Sequence, residues 1–166
     1  SQSENRYETQ RQARPPVAEE RREQLQIMNR LQELARRQQD VNERLKELQT
    51  ALREAPSERE REEIRRRLKR LQEEEQRMLA DVDELQQRMD RAQDQSRLAE
   101  QRSQLEQARE DLQRAAEAAS EGSVSQALAA GTRAERQMQE MRDQLRQENA
   151  GEFSEELRQM RAEARE

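Results

Sequence analysis

The stretch that decides the fold is "RMDRAQDQSRLAE", residues 88–100. Up to Met89 and Ala92 the chain carries a regular apolar stripe, which vanishes in "RAQDQS" and returns at Leu98 out of step. Nine residues separate Met89 from Leu98. At roughly 100° per residue that is about 900°, half a turn net. In an unbroken helix the second stripe therefore lies on the face opposite the first. This predicts a middle helix over about 58–119, near 90 Å long at roughly 1.5 Å per residue, with one partner helix along each half on opposite sides. The chain would form a Z. The contrary outcome is a break at 93–97 that folds the helices back into one short bundle.

Upstream, the spacing predicts a helix over 17–54 with the seam Ile27, Leu31, Leu34, Gln38, Val41, Leu45, Leu48 and Leu52. Its steps of four and three are a heptad pattern with one polar member. "EAPSERE" (54–60) ends it: Pro56 cannot continue the hydrogen-bond ladder, and Ser57 with Glu60 reads as a capping box opening the next helix. The next seam is Ile64, Leu68, Leu71, Glu75, Met78, Val82, Leu85 and Met89, again with one polar member. Folding the second seam back on the first pairs Leu48 with Ile64, Leu45 with Leu68, Leu34 with Met78 and Ile27 with Leu85. The same register sets Gln38 level with Glu75. A polar layer of this kind costs stability but penalises slipped registers. Met28 and Leu79 flank this seam and lack a partner in a two-helix arrangement.

Downstream, Leu98, Leu105, Ala108, Leu112, Ala115 and Ala119 form a third stripe, stopped by "SEGSVSQ" (120–126), where Gly122 suits the left-handed residue after a helix. The stripe Val124, Ala127, Gly131, Ala134, Met138, Met141 and Leu145 follows over 124–149 and pairs antiparallel with the third. Ala115, Ala127 and Gly131 predict a close helix approach near the turn. Glu148 and Glu152 then stand where apolar residues are due, and the stripe resumes one residue late at Phe153, Leu157, Met160 and Ala164. Gly151 at this shift predicts a break and a short last helix over 152–165. Phe153, Leu157 and Met160 are the candidates for docking that tail near Met28. Residues 1–16, without periodicity and closing on Pro15 and Pro16, read as a disordered lead-in, and 17–166 as one elongated helical domain.

Of the 166 residues 42% are charged, 30% hydrophobic and 1% aromatic, with a net charge of −5. A conventional core needs more apolar surface than this. Gln, Glu, Arg, Leu and Ala dominate while Gly and Pro number three each, which favours long helices joined by narrow seams over disorder. Without Cys or His there is no disulfide, no thiolate and no imidazole base. No nucleophile motif is present, so no enzyme activity, catalytic residue, cofactor or metal is expected. Glu73, Glu74 and Glu75 are consecutive on a helix and point in different directions, which argues for a solvated face rather than a cation site. The basic cluster "RRRLKR" (Arg65, Arg66, Arg67, Lys69, Arg70) could meet phosphate or an anionic membrane. Glu62 and Glu63 lie four residues before Arg66 and Arg67, however, which suits ion pairs along the helix, and no aromatic is interleaved to stack on bases.

The stretches "LARRQQDVNERLKEL" (34–48) and "QALAAGTRAERQMQEMRDQLRQENAGEFSEELRQMRAEAR" (126–165) resemble the helical, Gln/Arg/Glu-rich coiled-coil region of large uncharacterised membrane-anchored proteins of planctomycete-like bacteria. The resemblance implies a bacterial origin and a soluble segment of a larger, membrane-anchored protein, and it carries over no functional residue. The expectation is an all-α structural or interaction module, a spacer or scaffold built from antiparallel coiled-coil hairpins. Its partner is another protein, the rest of the same large protein or a second copy; nucleic acid and direct membrane insertion are not expected. The alternative is a charged-surface binder acting through residues 65–70.

Overall fold

The computed structural model describes residues 16–91 and 98–165. They form four helices and, among the described residues, no strand: α1 (Pro16–Arg53), α2 (Glu58–Arg91), α3 (Ala99–Ser120) and α4 (Val124–Arg165). The expected lead-in lies outside the described residues except for Pro16, as does the segment 92–97.

Two turns follow from their residues. Ala55, at φ 52°, and Pro56 end α1. Ser57 Oγ then accepts from the Glu60 amide at 3.2 Å and donates to Glu60 Oε1 at 3.0 Å, so the first turn of α2 is capped by the serine. At the end of α3, Gly122 adopts φ 81°. Its amide donates to Ala119 O at 3.1 Å, and the Ser123 amide to Ala118 O at 2.8 Å. That is the paired bonding of a Schellman stop, which requires the left-handed conformation glycine reaches without strain.

Cross-helix polar pairs fix the directions. Between α1 and α2, Gln38 meets Glu75 at 2.9 Å and Glu23 meets Arg88 at 2.8 Å. Between α2 and α3, Asp83 meets Arg109 at 2.5 Å and Asp90 meets Arg102 at 3.1 Å. Asp111 of α3 meets Arg133 of α4 at 3.1 Å. Gln49 of α1 meets Ser125 of α4 at 2.9 Å, and Arg21 meets Glu156 at 2.5 Å. Wherever two such pairs join the same helices, one residue number rises as the other falls. The helices run up-down-up-down, with α1 beside α2 and α4, and α3 beside α2 and α4.

The Z is therefore not the arrangement found. An unbroken helix would hold Asp83 and Arg109 about 39 Å apart; here they form an ion pair. The half-turn phase shift across 93–97 fits a chain that doubles back equally well. Folding back also removes the weakness of the Z, in which every helix buries one narrow seam against one partner. In a bundle each helix faces two neighbours and needs a wider stripe. The buried set has that width, since Ala35, Asn42, Leu79, Ala116 and Ala118 are buried next to seam positions. Met28 and Leu79, partnerless in a two-helix scheme, pack into the cluster that holds Met141 and Leu145 of α4.

The expected break at 149–152 is also absent, because α4 runs unbroken through Gly151. One helical glycine costs only about 1 kcal/mol relative to alanine. Beyond it Arg21 of α1 pairs with Glu156 and stacks over Phe153 at 5.2 Å from the ring centre, bracing the tail along α1.

The core divides into two clusters. One gathers Ile27, Leu31, Leu34, Met78, Val82, Leu85, Met89, Leu98, Leu105, Leu112, Met138, Met141 and Leu145. The other gathers Val41, Leu45, Leu48, Ile64, Leu68, Leu71, Val124 and Ala127. Each draws on all four helices. Among the described residues, every seam residue expected above from Ile27 to Leu145 is buried except Leu52, which is 40% exposed near the end of α1.

Candidate functional site

Between the two core clusters lies a polar layer. Gln38 and Asn42, one helical turn apart on α1, lie against Gly131 on α4, and Gln38 reaches Glu75 on α2. Gln38 Nε2 donates to Asn42 Oδ1 at 2.8 Å and to Glu75 Oε1 at 2.9 Å, which uses both of its hydrogens. Gln38 Oε1, Asn42 Nδ2 and Glu75 Oε2 are buried with no hydrogen-bond partner. A Cβ at position 131 would overlap Asn42 Oδ1 and stand 2.6 Å from Gln38 Nε2. Glycine there makes the room the amides occupy.

Glu75 is only 1% exposed. Burial pushes its carboxyl up to about 7, the Glu74 charge adds to the rise, and the hydrogen bond from Gln38 opposes it. Arg37, next to Gln38 in the chain, pairs with Glu74 at 2.9 Å and with Asp81 at 2.6 Å. The layer thus holds a carboxyl whose charge changes near neutral pH among amides that cannot neutralise it. It can set helix register and take up or release a proton.

The basic cluster sits on the outer face. Arg65, Arg66, Arg67 and Arg70 are exposed, and each lies within 4.0 Å of Glu62 or Glu63. Lys69 is exposed as well. Arg67 and Arg70 also line a groove of about 580 Å³ between α1 and α2, together with Arg44 and Arg77 and with Glu47, Glu63, Glu73 and Glu74, over Leu48 and Leu71. Arginine and glutamate are equal in number there, so the groove is not a basic patch.

Glu33–Arg37 and Glu84–Arg88 have the i,i+4 spacing of ion pairs within one helix, but Arg37 and Arg88 cross to α2 and α1 respectively. The cross-helix partners only become visible once the register is known. Gln24, Asn42, Gln101 and Asp111 are buried polar residues that the seam did not include. The tail candidates Phe153, Leu157 and Met160 are 52%, 38% and 64% exposed, so they do not enter the core; Arg21 lies over the ring of Phe153.

Among the described residues no group of Asp or Glu could hold a metal ion, and no helix is long and apolar enough to cross a membrane. No protein-family model, curated protein or solved structure matches the chain.

Proposed function

We propose that the chain is a structural and interaction module, a helical spacer or scaffold within a larger protein, with no catalytic role. The observation that carries this reading is the polar layer. Its residues spend core stability on register, which suits a part whose task is to hold a fixed shape. The heptad spacing of the α1 and α2 seams supports coiled-coil packing of that pair. The resemblance to membrane-anchored bacterial proteins adds the proposal that the module stands outside the bilayer as one segment of such a protein.

A second reading, binding of anionic membrane or nucleic acid, draws on the exposed Arg65, Arg66, Arg67, Lys69 and Arg70. Glu62 and Glu63 beside them weaken it. Cross-linking in the cell that makes the protein separates the two. A module gives reproducible protein links through the outer faces of the bundle. Links chiefly to nucleic acid, or retention on anionic vesicles that falls steeply with salt, would favour the second reading. Measurable turnover by the isolated chain would overturn the first.

A further inference from the structure

The central layer is short of hydrogens. Gln38 gives both of its amide hydrogens away, one to Asn42 Oδ1 and one to Glu75 Oε1. What remains on the joined pair is Gln38 Oε1 and Glu75 Oε2, both buried and without a partner. An amide oxygen can only accept, and so can an ionised carboxylate. Asn42 has a spare hydrogen on Nδ2, but it meets the Gln38 nitrogen through Oδ1. The buried residues of α3 and α4 outside both apolar clusters are Ala115, Ala130 and Gly131, which offer no side-chain donor, and Gln101 and Asp111, which engage Glu148 and Arg133. The missing hydrogen therefore has to come from the carboxyl itself or from solvent.

No charge in the bundle takes the place of that proton. Glu74, the neighbour on α2, acts on Glu75 with the same sign, on top of its burial. Arg37 of α1 is held by Glu74 and Asp81. Arg114 of α3 and Arg133 of α4 approach Asp111. Glu135 of α4 is raised by burial, with Lys46 and Glu43 of α1 acting on it. Solvent comes closest along the groove between α1 and α2, whose lining includes Glu73, Glu74 and Arg77 on either side of Glu75 in the chain.

We propose that Gln38 and Glu75 form a proton-operated clasp: closed, the Glu75 carboxyl carries a hydrogen on Oε2 and donates it to Gln38 Oε1, and loss of that proton to water opens the α1–α2 seam along the groove. In the closed state amide and acid each give one hydrogen bond and take one, so both orphan oxygens are satisfied. In the ionised state two buried acceptors face each other beside a charge, a cost that water entering from the groove relieves. The clasp rests on the layer and not on the functional reading above.

Carbon-13 NMR of the glutamate carboxyls in the full chain reads the proton, and spin labels read the seam. One carboxyl, absent from Glu75→Gln, should titrate near neutral pH, apart from the exposed glutamates. Labels at Glu47→Cys and Arg70→Cys, which line the groove from α1 and α2, should give a narrow distance at about pH 5 and a longer, broader one at about pH 9. Labels at Asp83→Cys and Arg109→Cys, across α2 and α3, should not change. Glu75→Gln should stay closed at both pH values, because its amide donates to Gln38 Oε1 and accepts from Gln38 Nε2 whatever the pH. A Glu75 carboxyl that titrates with the exposed glutamates would overturn the proposal. So would a seam distance indifferent to pH, the same widening in Glu75→Gln, or an α2–α3 distance that widens in step, which is global unfolding.

Discussion

Gln38 of α1 donates to Glu75 of α2 at 2.9 Å with both side chains shut off from solvent. The bond ties the two helices at one level in the middle of the bundle, where the apolar core is interrupted. A slip by one heptad would set Gln38 opposite Leu68 or Val82, and the amide and the carboxyl would each be buried among aliphatic groups. Burying such groups unpaired costs several kcal/mol together, so the layer selects the register while weakening the fold.

Glu75 makes stability depend on pH. Its carboxyl is raised in the folded chain from 4.5 to about 7. Between those values the folded state holds a proton the unfolded state has released, so unfolding free energy falls as pH rises through this window. The full stability is present below about 4.5, and the loss levels off above about 7. A shift of this size corresponds to about 3 kcal/mol. Glu75→Gln keeps the acceptor for Gln38 and removes the charge. Urea titrations should show it more stable than the wild type at pH 8 by up to that amount and nearly equal at pH 4. A wild type whose stability at pH 8 matches or exceeds that of the variant would contradict the burial of an unpaired carboxyl.

Gly131 should resist alanine although it is a mid-helix glycine. The substitution gains about 1 kcal/mol in helix propensity. Its methyl group would, however, overlap Asn42 Oδ1 and crowd Gln38 Nε2, and overpacking typically costs about 1–3 kcal/mol. Gly131→Ala should therefore be neutral to destabilising, where an exposed helical glycine such as Gly151 should gain stability on the same change. Adding Asn42→Ala should make the double variant more stable than the two single effects predict, by about 1 kcal/mol. Additive effects in thermal denaturation would show that the two residues do not touch.

What is local is legible in this sequence, and which helix meets which is not. The seams, the Ser57 cap, the Gly122 stop and the level of Gln38 with Glu75 follow from heptad spacing and turn chemistry, both properties of a few neighbouring residues. The phase shift between Met89 and Leu98 has two solutions, one helix with two faces or two helices folded back, and spacing cannot separate them. Met28 and Leu79 carried the missing signal: apolar residues beside a two-helix seam demand further neighbours. The arginine pairings are hidden for the same reason, since Arg37 and Arg88 reach across to another helix, and i,i+4 spacing describes only one. Asn42 was overlooked because its importance lies in Gly131, distant in sequence.

Burial should rank the leucines. Leu105 is fully buried among residues of the larger cluster, while Leu52 is 40% exposed. Leu105→Ala should cost about 2–5 kcal/mol, the range for a core cavity, and Leu52→Ala should stay within about 0.5 kcal/mol. Denaturant midpoints at constant slope measure both. Equal losses at the two positions would mean that the end of α1 is covered.

Asp83 and Arg109 supply the direct test of the bundle. Their ion pair at 2.5 Å joins α2 to α3 across the segment 92–97. In a continuous helix the two residues would be about 39 Å apart, so the two topologies differ at this pair by far more than any side-chain motion. The chain contains no cysteine, and Asp83→Cys with Arg109→Cys gives a unique pair on partly exposed positions. A short bis-maleimide at low protein concentration should cross-link the two within one chain, and spin labels at the same sites should report a distance below about 20 Å. The ion pair itself is partly exposed and contributes little, so losing it should leave the fold intact. A label distance near 40 Å, with cross-links forming only between chains, would restore the extended arrangement and remove the common core.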